Sequence, residues 1–245
     1  SRGTGVLYQI LCLVRGRSIL PIALRYLVPR WKLIVDLLRI ASSASFQVLI
    51  ETASWLGLVR ILSGFGSAAI AGYTIAMRLA IFALLPSWGL AGASATLVGQ
   101  NLGAGEPERA AASVRAIARM NVVFLALIGG SFAVFAHPIL SMMSANADTI
   151  AFGSACLRIV AIGFVFFGFG MVTVQAFNGA GDTRTPTIIN LFCFWLFQVP
   201  LAWLMSTVWE MGPRGVFWAV PIAETAIALI AWYLFRQGKW KLKKV

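Results

Sequence analysis

Of 245 residues, 60% are hydrophobic and only 11% are charged, and the mean hydropathy is +0.86. Soluble domains carry roughly a quarter of their residues as charged side chains, so this composition excludes a water-soluble globule and predicts an all-α membrane protein. The net charge of +12 would suit a nucleic-acid binder, but its placement along the chain excludes that class and assigns it to membrane orientation.

The chain opens with Gly5–Val14, apolar but too short to span a bilayer and without the basic start or cleavage site of a signal peptide. It reads as the tail of a cut helix, so the sequence is expected to be a fragment. From Ser18 to Asp36 the chain is basic and aromatic, with Pro21, Pro29, Trp31 and Lys32, an amphipathic segment suited to the membrane surface. Residues 1–36 are therefore expected to be a helix end plus a cytoplasmic linker, 37–236 a six-helix transmembrane bundle, and 237–245 a basic cytoplasmic tail.

Six apolar runs of about 20 residues or more follow: Leu37–Leu62, Ser67–Val98, Ala116–Ser141, Ile150–Ala176, Thr187–Val208 and Gly215–Phe235. Gly64-Phe65-Gly66 makes a tight turn after the first, and Glu106-Pro107-Glu108-Arg109 opens a helix with proline in its first turn. Pro86, Pro200 and Pro221 lie inside predicted spans, each removing a backbone hydrogen bond and predicting a bend.

Arg15, Arg17, Arg25, Arg30, Lys32 and Arg39 precede the first span, while Arg109, Arg115 and Arg119 follow the second and Arg184 follows the fourth. Arg236, Lys239, Lys241, Lys243 and Lys244 close the chain; the opposite connections carry little more than Arg60 and Arg214. Alternate loops are thus basic, which puts both ends in the cytoplasm; the membrane expected is the plasma membrane, the inner membrane of a bacterium. Cys12, Cys156 and Cys193 form no CxxC, and His137 has no second histidine, so no metal site or disulfide is predicted.

Two loops echo each other. One carries Gln100, Asn101, Gly103, Gly105 and Glu106; the other carries Asn178, Gly179, Gly181, Asp182 and Arg184. Each runs Asn, Gly-Ala-Gly, carboxylate, then Arg. Neither is followed by Gly-Lys-Ser/Thr or by a third glycine at dinucleotide-fingerprint spacing, so no nucleotide site is predicted. Uphill transport would then draw on an ion gradient, with H⁺ or Na⁺ as coupling ion and no cofactor.

Ionisable residues at membrane depth are expensive and mark functional candidates. Glu51, Arg78, Arg158 and Glu224 all fall near mid-span, the first two roughly 16 Å below the hairpin that joins their helices. Either two ion pairs hold the bundle together, or a carboxylate binds and releases H⁺ or Na⁺. Trp55 shares the Glu51 face, one turn on.

The stretches Ala95–Gly105 and Val174–Pro186 resemble the signature of the multidrug and toxic compound extrusion (MATE) family, and the resemblance covers the second half of such a transporter. It implies one six-helix lobe of a twelve-helix protein, facing a central cavity with the missing N-terminal lobe as its partner. It also implies a cation-coupled antiporter that exports small amphiphilic, often cationic compounds, and not an enzyme. Glu51 stands where many members carry a cation-site glutamate. The stretch Phe164–Gly170 lacks the aspartate that some members use, so the implied cavity would be lined by Glu51, Gln47, Gln175, Asn178 and Gln198. Two other readings stand beside it: a flippase of lipid-linked saccharides, favoured by an arginine-lined cavity, and a non-transporting assembly subunit.

Overall fold

A computed structural model describes residues 2–14 and 30–242. The stretch 15–29, with Arg15, Arg17, Pro21, Arg25 and Pro29, lies outside the described residues, as do Lys243 and Lys244. The chain divides into two units, Ser1–Ser42 and Ser43–Val245. The first holds α1 (Arg2–Val14) and the opening turns of α2 (Trp31–Leu62); the second holds the rest of α2 and every later helix.

In the second unit, α2 passes through a 3₁₀ turn, Ser63–Phe65, into α3 (Ser67–Gly103), with Gly66 at φ +97° making the reversal. Then come α4 (Pro107–Met143), α5 (Ala147–Ile162) and α6 (Phe164–Gly179). The apolar rod Arg184–Val208 contains α7 (Arg184–Asn190), a π-helical stretch Leu191–Gln198, α8 (Val199–Trp203) and a second π stretch Leu204–Val208. The last long helix is α9 (Pro213–Arg236), followed by a 3₁₀ turn at Lys239–Leu242. Among the described residues, five helices are long and apolar enough to cross a bilayer, and the bent pair α5–α6 makes a sixth span if counted as one. At 37 residues each, α3 and α4 are about 55 Å long, so their ends project beyond a hydrocarbon core of about 30 Å.

The span expected as unbroken over Ile150–Ala176 is broken at Gly163, where α5 and α6 meet at 53°. A Cβ on Gly163 would stand 2.7 Å from Cβ of Pro221, so the missing side chain lets α9 press into the break. Pro200 behaves differently from the simple bend expected. Its absent N–H is accommodated by π turns on both sides, with the Val199 N–H reaching back to Phe194 O.

Among the described residues, two apolar cores fill the bundle. One, around Tyr73, Leu140, Leu157 and Phe217, includes a Tyr73–Phe217 ring stack at 6.2 Å. The other, around Val98, Val114, Phe177 and Trp240, lies at the basic end. Side-chain hydrogen bonds add polar ties between helices: Asn121 Nδ2 donates to Gly168 O at 2.9 Å and Ser94 Oγ to Val172 O at 3.3 Å. Cys156 and Cys193 are buried and unbridged. The described part of the basic tail folds back: Trp240 is buried, stacks on Phe235 at 4.8 Å and donates Nε1–H to its carbonyl at 3.0 Å, while Lys241 pairs with Glu108 at 2.7 Å.

Candidate functional site

A cavity of about 540 Å³ opens between α2, α3, α6, the π stretch and α9. Helical spacing explains its walls. On α2, Val48, Glu51, Trp55 and Leu58 recur every three or four residues, with Thr52 beside Glu51; on α3, Tyr73, Met77, Ile81, Leu84 and Trp88 recur at the same spacing. The π stretch contributes Phe194 and Gln198, and α9 contributes Val220 and Glu224. The polar groups are few and convergent within an aromatic wall, as ligand pockets require.

Glu51 and Glu224 thus share one apolar cavity, and Glu224 is only 8% exposed. The expected arginine partners are elsewhere. Arg78 is exposed and forms no ion pair with Glu51, and Arg158, also exposed, donates Nε–H to Ala133 O at 3.2 Å rather than meeting Glu224. Among the described residues the ion pair present is Lys241–Glu108, far along the chain from both carboxylates. The reason is rotational: Arg78 follows Met77, which lines the cavity, and one residue along an α-helix turns the side chain by about 100°.

Gln198 is buried at the cavity edge, and the Ser54 hydroxyl lies 3.1 Å from both its Oε1 and Phe194 O, sharing one proton between them. Trp195 Nε1 donates to Ile50 O at 3.2 Å. These bonds pin α2 to the π stretch just where Glu51 and Gln198 enter the cavity. Gln47, Gln175 and Asn178, expected on the cavity wall, make a separate amide cluster instead. Asn178 Nδ2 donates to Gln175 Oε1 at 2.6 Å, and Gln47 Nε2 lies 3.4 Å from Asn178 Oδ1 and from Thr183 O. Tyr73, Thr52, Met77 and Phe167 line the cavity without having been singled out in the sequence; the Tyr73-to-Trp88 stripe was the signal available for α3. No group of three or more His, Cys, Asp or Glu is placed to hold a metal among the described residues.

The echoed loops are a pair of matched helix ends. In the first, Gly105 N–H bonds Leu102 O at 3.0 Å and Glu106 N–H bonds Asn101 O at 2.8 Å; in the second, Gly181 N–H bonds Asn178 O at 3.1 Å and Asp182 N–H bonds Phe177 O at 2.9 Å. Gly105 and Gly181 sit at φ +76° and +75°. Each is a Schellman cap, which needs a left-handed residue just past the helix. Gly179 packs its Cα against the Ala95 backbone of α3, whereas Gly103 has open space where a side chain would be. Asp182 then accepts from Thr185 Oγ1 at 2.7 Å, while Asn101 Nδ2 turns back to Leu97 O at 2.7 Å. Gln100 and Arg184 are exposed.

The MatE family model matches residues 44–204. The chain is 27% identical over 225 residues to the probable multidrug resistance protein YoeA of Bacillus subtilis strain 168, covering 90% of this chain and 48% of that one. It is 23% identical over 218 residues to the probable multidrug resistance protein NorM of Thermotoga maritima, covering 89% and 47%. A MOP superfamily transporter from Pyrococcus furiosus superposes with a TM-score of 0.89 at 21% identity, over 99% of this chain and 54% of that one. The chain spans about half the length of the curated relatives it matches.

Proposed function

Because the chain belongs to the MatE family, we propose that it works as the C-terminal lobe of a cation-coupled antiporter that exports amphiphilic, cationic compounds, paired with an N-terminal six-helix lobe. The observation that carries this reading is the placement of two carboxylates, Glu51 and Glu224, in one aromatic-walled cavity without an arginine between them. Glu224 is buried while Glu51 is open to the cavity, and two like charges facing one apolar space call for neutralisation, because an uncompensated buried charge such as that of Glu224 is costly. A proton, a sodium ion or a cationic substrate can each supply it, so occupancy by one disfavours the others. That competition is the elementary requirement of antiport: each ligand shifts the inward–outward equilibrium only by its differential affinity for the two states. Coupling needs no covalent step. The carboxylate lining also argues against a lipid-linked saccharide flippase, whose anionic cargo calls for arginines.

The test is efflux of ethidium from proteoliposomes holding this lobe joined to a family N-terminal lobe, driven in turn by imposed proton and sodium gradients. Glu51→Gln is expected to abolish gradient-driven efflux with normal membrane insertion, and Arg78→Gln to leave both within about twofold, since Arg78 does not line the cavity. Efflux that survives Glu51→Gln, or that Arg78→Gln restores to it, would refute the coupling role.

A further inference from the structure

A second cavity, about 760 Å³, lies between α4, α6 and α9 at the basic end of the bundle, away from the two carboxylates. Arg115 and Arg119 of α4, Arg236 of α9 and Lys241 line its mouth. Lys241 is already paired with Glu108, but the three guanidiniums form no ion pair among the described residues. Arg236 lies 4.9 Å from the centre of the Trp232 ring, and Arg119 Nε–H donates to Arg115 O at 3.3 Å, so each of these exposed side chains makes a contact at the mouth.

Away from the mouth the walls turn apolar. Val122, Phe169 and Trp232 line this cavity and also a second, smaller one of about 270 Å³, which continues past Val165 and Leu229. The descent is parallel on all three helices. From Arg115 to Val122, from Thr173 to Val165 and from Arg236 to Leu229, each helix runs seven or eight residues inward, about 10–12 Å. Leu229 is 56% exposed and Trp232 43%, so this groove faces outward from the lobe. Its shape is that of an amphiphile: a basic mouth at the end of the bundle, then an apolar channel that opens outward.

We propose that this groove is a binding site for an anionic phospholipid, whose phosphate sits among Arg115, Arg119 and Arg236 and whose acyl chain lies along Val122, Phe169 and Trp232. Basic pockets between transmembrane helices take anionic headgroups, and each Lys or Arg near an anionic membrane surface adds about fivefold to the attraction. A zwitterionic lipid would gain far less, because its own ammonium opposes the guanidiniums. Free phosphate would use the mouth but leave the apolar channel empty.

The protein in maltoside micelles is titrated with phosphatidylglycerol brominated on its acyl chain, with the matching brominated phosphatidylcholine, and with inorganic phosphate, and tryptophan quenching is read. Phosphatidylglycerol should quench at a mole fraction at least tenfold below phosphatidylcholine, and Trp232→Phe should remove the saturable part of the signal. The triple change Arg115→Gln, Arg119→Gln, Arg236→Gln should bring the two lipids together, a loss on the order of 100-fold, whereas the triple change to Lys should retain much of the preference. Arg60→Gln with Arg214→Gln, at the other end, should change nothing. Equal quenching by the two lipids, or a signal that survives Trp232→Phe, overturns the proposal. Full competition by millimolar phosphate also overturns it, since the site would then be one for a free anion. Should the Gln variant lose helix content, the wild-type lipid ratio and the Trp232→Phe subtraction decide alone.

Discussion

Four glycines in the two echoed loops look equivalent in the sequence, and their surroundings separate them. Gly105 and Gly181 hold positive φ at Schellman caps, so Gly105→Val or Gly181→Val should cost about 1–2 kcal/mol or more from left-handed backbone strain. Gly179 lies against the Ala95 backbone, so Gly179→Ala should cost about 1–3 kcal/mol by overpacking. Gly103 has open space beside it, and Gly103→Ala should be within about 0.5 kcal/mol of the parent. Unfolding in mixed micelles measures all four, and a Gly103→Ala loss as large as that of Gly179→Ala would contradict the distinction. The motif itself was legible, because Asn-Gly-Ala-Gly-carboxylate is visible twice. What separates its glycines was not, because φ and neighbouring backbone are absent from a string of letters. The same limit explains the charges. Counting residues fixes depth along a helix, which is how Glu51 and Glu224 came to be set in one layer. It does not fix azimuth, so Arg78 and Arg158 were put in that layer as partners although they point elsewhere.

Among the elements, apolar length predicted the long helices well, and these mostly extend beyond the apolar segments on which the expectation rested. The break at Gly163 was not legible. Proline is the expected sign of a bend, and the span that is broken has none; its glycine matters because Pro221 of another helix fills the space. The tail is a further case. A run of lysines reads as solvated charge, yet Trp240 is buried and Lys241 clamps Glu108 at the start of α4. The hydrogen bond and charge of Lys241 hold the Glu108 carboxyl, outside the membrane, below its ordinary value of 4.5. A depressed folded pKa means the clamp's contribution is present in full above that ordinary value and is lost as pH falls through the folded one. Hydrogen exchange at the Trp240 indole should therefore quicken on acidification below the usual carboxylate range. It should also quicken at high salt, because the pair is exposed. Glu108→Gln should remove the acid step; an unchanged step in that variant would dissociate the tail from this pair.

At the scale of the whole molecule, the two capped loops and the tail share one end of the bundle, and alternate loops differ in charge. We expect single cysteines at Gly103 and Asp182 to react only with reagent on the cytoplasmic face, and cysteines at Gly64 and Asn146 only with reagent outside. Labelling of all four from one side would exclude the arrangement of spans. One end of this lobe thus carries the groove lined by Arg115, Arg119 and Arg236, and the cavity that holds Glu51 and Glu224 shares no lining residue with it, so the two proposed sites are separate.

The central claim is that Glu51 and Glu224 hold a coupling cation which a cationic amphiphile displaces. Tetraphenylphosphonium is titrated into the protein in weakly buffered micelles, once with a pH indicator and once with radioactive sodium, so that ions released per ligand bound are counted directly. About one cation should leave for each ligand that enters, and Glu51→Gln with Glu224→Gln should abolish the release. Binding of the ligand with no proton or sodium released, or release unchanged in the double variant, would contradict the account.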